Sequence, residues 1–180
     1  MTPVHVFVCG LQDGRTSGER LALFAAEYAQ SMNLPPITAN MVYGTRGKPY
    51  FDESHLHFSI SHSGEFWACA FSDAPLGLDL QQHKTCSMPS IARRFFHPQE
   101  TAWLQANDYA GFFPVWTAKE SYVKYTGEGI TDAFSAFSVV NDNVISGCNG
   151  SILRHVPFRE DYTLCVCTPE PVPITLIEKL

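Results

Sequence analysis

Residues 114–129 read Pro-Val-Trp-Thr-Ala-Lys-Glu-Ser-Tyr-Val-Lys-Tyr-Thr-Gly-Glu-Gly. A proline is tolerated in the first turn of a helix and glycines end one, so this stretch predicts a single short helix. Trp116, Glu120 and Lys124 recur every four residues and therefore share one stripe of that helix. A glutamate four residues before a lysine is also an ordinary surface ion pair, worth only about 0.2 to 0.5 kcal/mol. The stretch alone is therefore compatible with either a surface pair or an active site.

Outside this helix, the hydrophobic pattern predicts further elements on both sides. Strand-like runs predict strands at 4–9, 56–60, 66–71, 76–81, 134–140, 152–156 and 162–167, and the runs at 4–9, 76–81 and 162–167 alternate with a period of two. Helical spacing predicts a helix over residues 18–32 with Ser17 as its N-cap, and two more helices that begin near Ser90 and at Pro98. The order predicts two α+β units of similar make-up, residues 1–84 and 85–180, with the boundary in the connector 82–89.

The strand at 76–81 carries an acid in its middle. Leucines at every second position give one apolar face, while Asp79 and Gln81 project together from the other face. An exposed sheet face and a functional site remain equally open for Asp79 at this point.

The bulk composition is that of a globular protein: 45% of the 180 residues are hydrophobic and 17% are charged. No long apolar run or leader segment marks a membrane span or a signal peptide, so we expect a cytoplasmic protein. The formal net charge of -6 disfavours nonspecific binding to nucleic acid, which needs many cations on one face.

Cysteines and histidines give no metal-binding pattern. The six cysteines lack paired C-x-x-C spacing and lie mostly among apolar residues, which favours buried free thiols over zinc or disulfides. His55, His57 and His97 have no further ligands at zinc spacing, so we expect solvated or hydrogen-bonded side chains.

Five motifs follow one another along about half of the chain, from Gly47 to Gly129. They are Gly47-Lys48-Pro49, Phe58-Ser-Ile-Ser61-His62-Ser63, Gly77-Leu-Asp79-Leu-Gln81, Phe95-Phe96 with Glu100, and Trp116-Thr-Ala-Lys119-Glu120-Ser-Tyr-Val-Lys124. This series resembles the 4'-phosphopantetheinyl transferases of the larger, pseudo-dimeric (Sfp-type) group, which activate carrier proteins of peptide, polyketide and fatty-acid synthesis.

The resemblance implies a fold and a reaction. The fold would be α+β, with two similar subdomains related by pseudo-two-fold symmetry, each a small antiparallel sheet with a long helix. Coenzyme A would bind in the cleft between them, and its phosphopantetheine arm would pass to a serine of an apo acyl or peptidyl carrier protein, releasing 3',5'-ADP. With both halves of the cleft in one chain, we expect a monomer.

The resemblance also implies roles for individual residues. Asp79 and Glu120 match the magnesium ligands, with Gln81 beside them, directly or through a water. Asp79, Glu120, Lys124 and His62 would form the catalytic set. The coenzyme A contacts would be Arg46, Lys48, Ser61, His62, Lys119 and Lys124.

The chemistry agrees with these residue types. Mg²⁺ prefers oxygen ligands and typically takes one or two carboxylates, with water and substrate phosphate completing its octahedron. Phosphoryl transfer needs positioning and positive charge, which Mg²⁺ and Lys124 could supply. Either Glu120 or a metal-bound water would take the proton of the attacking serine, and the sequence leaves both open.

Two departures from the family pattern affect the expected site. Gln81 replaces the usual second acid, which removes one negative charge and predicts weaker metal binding. For the 3'-phosphate, the amino-terminal part offers only Arg15, Arg20 and Arg46, of which Arg46 is favoured because it adjoins Lys48.

The partner surface and two rival functions also remain open. Lys84, Arg93 and Arg94 would form either a basic surface for an acidic carrier helix or a plain solvated face. A noncatalytic module that binds coenzyme A or a carrier protein is the main alternative, and a structural α+β domain is the other.

Overall fold

The computed structural model describes residues 2–37, 40–52, 54–129 and 132–179. The strands are β1 (Val4–Gly10), β2 (Met41–Tyr43), β3 (Pro49–Phe51), β4 (His57–Ser63), β5 (Phe66–Ser72), β6 (Gly77–Gln82), β7 (Val140–Asn141), β8 (Val144–Ile145), β9 (Ile152–Val156), β10 (Tyr162–Thr168) and β11 (Ile174–Lys179). The helices are α1 (Ser17–Ser31), α2 (Met88–Phe95), α3 (Pro98–Ala106) and α4 (Phe112–Thr126), and a 3-10 turn covers Asp132–Ser135. This confirms a mixed α+β chain.

Two main sheets organise the strands. The larger sheet has the order β11-β1-β5-β4, and the smaller sheet has the order β6-β10-β9. Every pairing is antiparallel except that of β1 with β11, which is parallel. The strand pairs β2–β3 and β7–β8 form separate two-stranded ribbons.

The apolar faces stack these elements in layers. Val4, Val6 and Val8 of β1 pack against Leu78 and Leu80 of β6 between the two sheets. The opposite face of the larger sheet packs on α1, and the outer face of the smaller sheet packs on α4 and the neighbouring helices. The period of two in β1 therefore fills two different cores, one on each face.

Two local predictions are wrong. The N-cap of α1 is Thr16, not Ser17, because Thr16 and Glu19 form a capping box in which each side chain accepts the other's backbone N–H. The predicted strand 134–140 is mostly a 3-10 turn and a loop. Its aromatic side chains, Phe134 and Phe137, pack into the helical core instead of a sheet.

The predicted division at residues 84 and 85 stays a prediction, as does the pseudo-two-fold symmetry. Two strands cross that division by their pairing. β6 hydrogen bonds to β10, so it belongs to the smaller sheet, and β11 returns from the end of the chain to pair with β1.

All six cysteines are free: four are buried, Cys148 is half-buried and Cys86 is exposed, so the predicted burial is confirmed for four of them. His55 and His57 are exposed, and His97 accepts a hydrogen bond from the Gln99 backbone as the N-cap of α3. None of the helices in the described ranges combines the length and apolarity that a membrane-spanning segment needs.

Candidate active site

Asp79, on β6, lies against the last turns of α4. Its Oδ1 accepts hydrogen bonds from Lys124 Nζ at 2.7 Å and from Ser61 Oγ at 2.8 Å. The side chain is only 5% exposed, so the exposed-face interpretation of this strand is wrong. The other oxygen, Oδ2, is buried and has no hydrogen-bond partner within the described part of the chain.

Gly77 explains how α4 comes so close to β6. Gly77 and Asp79 share the strand face that α4 covers. A Cβ atom at Gly77 would collide with the carbonyl oxygen of Ser121 and the amide nitrogen of Tyr125, both on α4. The absence of a side chain at Gly77 therefore allows the helix to place Lys124 over Asp79.

Glu120 is the second buried carboxyl group of the site, with 7% of its surface exposed. Burial, followed by the negative charge of Asp79, raises the pKa of Glu120 to about 7, and the nearby Lys124 ammonium opposes this rise. Residues whose pKa is strongly shifted by burial and by a nearby charge are common in functional sites. Glu120, beside Asp79, is therefore a candidate functional residue.

Glu120 and Lys124 line a cavity of about 230 Å³. The lining also includes the cations Arg46 and Lys48 from the β2–β3 turn and apolar side chains such as Ile60. The predicted orientation of the Glu120 and Lys124 stripe, toward a cleft instead of bulk solvent, is therefore confirmed.

Lys48 also ties the β2–β3 turn to the end of α4. Its Nζ donates to the carbonyl oxygens of Leu76 at 3.3 Å and Tyr125 at 3.2 Å. Burial lowers the pKa of Lys48, and an ammonium at the carbonyl end of a helix is electrostatically favourable.

His62 and Gln81 lie near this centre but outside the lining of the cavity. His62 is exposed on β4, on the same strand face as the cavity-lining Ile60. Gln81 follows Asp79 on the same face of β6, and its Nε2 donates to Ser63 Oγ at 3.3 Å and to the Gln82 carbonyl oxygen at 2.9 Å.

Lys119 does not fit the predicted contact with coenzyme A. It is fully buried, its Nζ lies 2.8 Å from Glu100 Oε2, and it donates to the Phe137 carbonyl oxygen at 2.6 Å. Neighbouring residues of a helix point about 100° apart, so Lys119 faces the helical core while Glu120 faces the cavity. Its burial lowers its pKa, and Glu100 opposes this effect.

Glu100 completes this buried pair by receiving backbone donors as well. Its Oε2 accepts the His97 N–H at 3.0 Å and its Oε1 accepts the Val139 N–H at 2.7 Å. The pair of Glu100 on α3 and Lys119 on α4 therefore connects these two helices to the loop that contains Phe137 and Val139. The sequence did not indicate this connection.

Only one of the three candidate arginines lines the cavity. Arg46 does so, whereas Arg20 is buried on α1 in an ion pair with Asp13, and Arg15 pairs with the same carboxylate at 3.1 Å. Arg15 and Arg20 therefore hold the loop before α1.

The carboxylates fit a divalent cation. Asp79 offers an unpartnered buried oxygen, and Glu120 is a second buried carboxyl group, whose pKa is raised to about 7. No group of three or more His, Cys, Asp and Glu side chains suited to a metal occurs in the described residues. A site with only two protein ligands suits Mg²⁺, because this ion usually takes its remaining ligands from water and substrate phosphate.

Comparisons with known proteins agree with this arrangement. The family model of the 4'-phosphopantetheinyl transferase superfamily matches residues 75–167, which include Asp79, Glu120 and Lys124. A 4'-phosphopantetheinyl transferase of Bacillus subtilis is 33% identical over 168 residues, covering 86% of this chain and 73% of the relative.

Two further relatives match over shorter stretches. The 4'-phosphopantetheinyl transferase gsp of Aneurinibacillus migulanus is 37% identical over 112 residues, covering 60% of this chain and 46% of the relative. The 4'-phosphopantetheinyl transferase Sfp of Bacillus subtilis (strain 168) is 40% identical over 98 residues, covering 52% of this chain and 43% of the relative. The matched stretches thus cover less than half of each of these two proteins. This chain belongs to the 4'-phosphopantetheinyl transferase superfamily, in its Sfp-type group.

Proposed function

We propose that this chain transfers the 4'-phosphopantetheine arm of coenzyme A to a serine of an apo acyl or peptidyl carrier protein and releases 3',5'-ADP. Asp79 and Glu120 would bind Mg²⁺ for this reaction. The observation that carries the proposal is the meeting of these two buried carboxyl groups, from β6 and α4, beside Lys124 at a cation-lined cavity.

The cavity suits the charges of coenzyme A. Three cations, Arg46, Lys48 and Lys124, line one space together with apolar side chains. Coenzyme A combines phosphate groups with apolar portions, and charge-assisted hydrogen bonds from lysine and arginine are the usual means of holding phosphates. His62, exposed two residues beyond Ile60, would reach a phosphate at the mouth of the cavity.

Lys124 and Glu120 would have different roles in the transfer reaction. Mg²⁺, when bound, supplies positive charge to the phosphoryl group that is transferred. The Lys124 ammonium would stabilise the charge that develops on the same group. Glu120 would accept the proton of the carrier serine as that hydroxyl attacks.

The carrier protein would dock on α2 and the connector before it. Arg93 and Arg94 of α2 and Lys84 of the connector are exposed. This basic surface complements an acidic carrier helix, and such complementarity mainly speeds association and selects the partner.

The test is incubation with coenzyme A, Mg²⁺ and an apo carrier protein, followed by mass spectrometry of the carrier. We expect the carrier to gain the mass of one phosphopantetheine group. Asp79→Asn should abolish the gain, whereas Asp142→Asn, in the exposed turn between β7 and β8, should preserve it. Coenzyme A binding without a mass gain on any of several carriers would favour a noncatalytic binding module instead.

A further inference from the structure

A ladder of serine hydroxyls joins the two main sheets. The hydroxyls of Ser59, Ser61 and Ser63 accept hydrogen bonds from the backbone N–H groups of Leu78, Leu80 and Gln82 at 2.9, 3.1 and 3.0 Å, respectively. β4 and β6 are edge strands of different sheets. The hydroxyls therefore satisfy the outward N–H groups of β6, which would otherwise be unpaired donors next to a core.

Ser61 differs from the other two ladder serines because its hydroxyl also contacts the acid of the site. It accepts from Leu80 N–H at 3.1 Å and from Lys124 Nζ at 3.0 Å, and it donates to Asp79 Oδ1 at 2.8 Å. A serine hydroxyl has one donor and two acceptor positions, and these three bonds use all of them. Ser61 is also only 6% exposed.

This saturation leaves Ser61 no free donor for a phosphate oxygen, so the contact with coenzyme A predicted for it does not fit. The saturation instead fixes the Asp79 carboxylate. Oδ1 of Asp79 accepts hydrogen bonds from both Ser61 and Lys124, while Oδ2 is buried and has no hydrogen-bond partner among the described residues. Groups that hold a metal ligand in place typically change metal affinity by about 10- to 100-fold when removed.

We propose that Ser61 is a positioning residue: its hydroxyl holds Oδ1 of Asp79 against β4, so that Oδ2 is presented to the divalent cation. This inference rests on the proposed metal-dependent function. It predicts that the hydroxyl of Ser61 determines metal affinity, while the affinity for metal-free coenzyme A does not depend on it.

The experiment uses Mn²⁺ as the probe. Binding of Mn²⁺ to the protein with coenzyme A bound and no carrier present is measured by electron paramagnetic resonance, with correction for Mn²⁺ chelated by free coenzyme A. Binding of coenzyme A in the presence of EDTA is measured by calorimetry. Transfer to a carrier gives the Mg²⁺ concentration for half-maximal rate.

Ser61→Ala should weaken Mn²⁺ binding about tenfold and raise the Mg²⁺ requirement to the same extent, with metal-free coenzyme A binding unchanged. Ser61→Thr, which keeps the hydroxyl, should restore Mn²⁺ affinity. Ser59→Ala is the matched control, because it removes one ladder bond from the same buried strand but has no contact with Asp79. It should lower the midpoint of urea unfolding as Ser61→Ala does and retain Mn²⁺ affinity. Should Ser61→Ala not fold, the near-isosteric Ser61→Cys takes its place.

The possible outcomes separate this inference from the proposed function. Unchanged Mn²⁺ affinity in Ser61→Ala, or an equal loss in Ser59→Ala, would overturn the positioning role while transfer by the wild-type protein stands. Weaker metal-free coenzyme A binding in Ser61→Ala with normal Mn²⁺ affinity would make Ser61 a substrate contact instead. A wild-type protein that neither binds Mn²⁺ nor modifies a carrier would overturn both proposals.

Discussion

Lys124 Nζ lies 2.7 Å from Oδ1 of Asp79, although the two residues are 45 positions apart in the chain. The contact joins α4 to β6, and it places a cation between the buried acid and the cavity. Lys124 therefore neutralises Asp79 in the folded protein, and in the proposed reaction it would also offer positive charge to a substrate phosphate.

Replacing Lys124 with methionine should therefore impair catalysis. We expect kcat/KM to fall about 100-fold, which is about the loss when one preorganised hydrogen-bond donor to a developing charge is removed. Steady-state transfer to a carrier is the measurement. Lys179→Met is the control, because Lys179 pairs with Glu27 on the exposed surface. A decrease below threefold would mean that Lys124 is only a structural partner of Asp79.

Glu120 should make the metal-free protein less stable as the pH rises. Its pKa is about 7 when folded and near 4.5 in an ordinary setting, so the folded state favours the neutral acid. The stabilisation is complete below pH 4.5 and disappears as the pH approaches 7, with a total of about 3 kcal/mol.

Urea unfolding in EDTA measures this effect. Glu120→Gln should be more stable than wild type at pH 8, and the difference should shrink toward pH 4.5. The exposed Glu128→Gln should show no such trend. A pH-independent difference for Glu120→Gln would contradict the raised pKa.

Gln81 should limit metal affinity, because it lacks the charge of the acid usual at this position. Gln81→Glu should lower the Mg²⁺ concentration for half-maximal rate by roughly tenfold, despite losing the amide donor to Ser63. Gln82→Glu adds the same charge on the opposite face of β6 and should leave the requirement unchanged. Identical magnesium dependence of Gln81→Glu and wild type would refute this prediction.

The Glu100 and Lys119 pair should contribute to stability and not to substrate binding. Removing one partner leaves a buried charge uncompensated, so we expect Lys119→Met and Glu100→Gln each to destabilise folding by about 3 to 5 kcal/mol. The double variant should lose less than the sum, because neither charge is then left alone.

Chemical denaturation of the four proteins gives the coupling free energy. Calorimetry on the folded double variant should give wild-type affinity for coenzyme A. Strictly additive losses, or a weakened coenzyme A affinity, would instead assign Lys119 to the substrate.

Arg46 should contact a phosphate of coenzyme A, because it is the one candidate arginine that lines the cavity. Arg46→Ala should raise the KM for coenzyme A about tenfold, the cost of one hydrogen bond to a charged group. Arg15→Ala is the matched control, since Arg15 pairs with Asp13 on the loop before α1. If the phosphate is the 3'-phosphate, the effect of Arg46→Ala should vanish with dephospho-coenzyme A. Equal KM values for the two alanine variants would exclude this contact.

Local pattern predicted most of the elements. Strands β1, β6 and β10 follow from the alternation of their residues, and strands β4, β5 and β9 follow from short strand-like runs. The segment 134–140 has the residue types of a strand but does not form one, because Phe134 and Phe137 pack into a helical core. The capping box at Thr16 could have been found, since a threonine followed three residues later by a glutamate is its signature.

The sequence by itself determined the family and the two acids of the site. The residue types in the motifs around Asp79 and Glu120, together with the order of these motifs along the chain, are enough to recognise the family and the two acids. The α-helical period also predicted that Glu120 and Lys124 share a stripe.

Tertiary structure alone decided what each of the remaining polar residues contacts. Lys119 and Ser61 both occur in the recognised motifs. Lys119 forms a buried ion pair with Glu100, whereas the Ser61 hydroxyl hydrogen bonds to Asp79 and to the β6 backbone. A motif specifies residue types and their spacing within one strand or helix, whereas the hydrogen-bond and ion-pair partners of those side chains lie on another strand or helix. The packing of β4 on β6 and of α4 on Gly77 determines these partners, and neither contact is encoded locally.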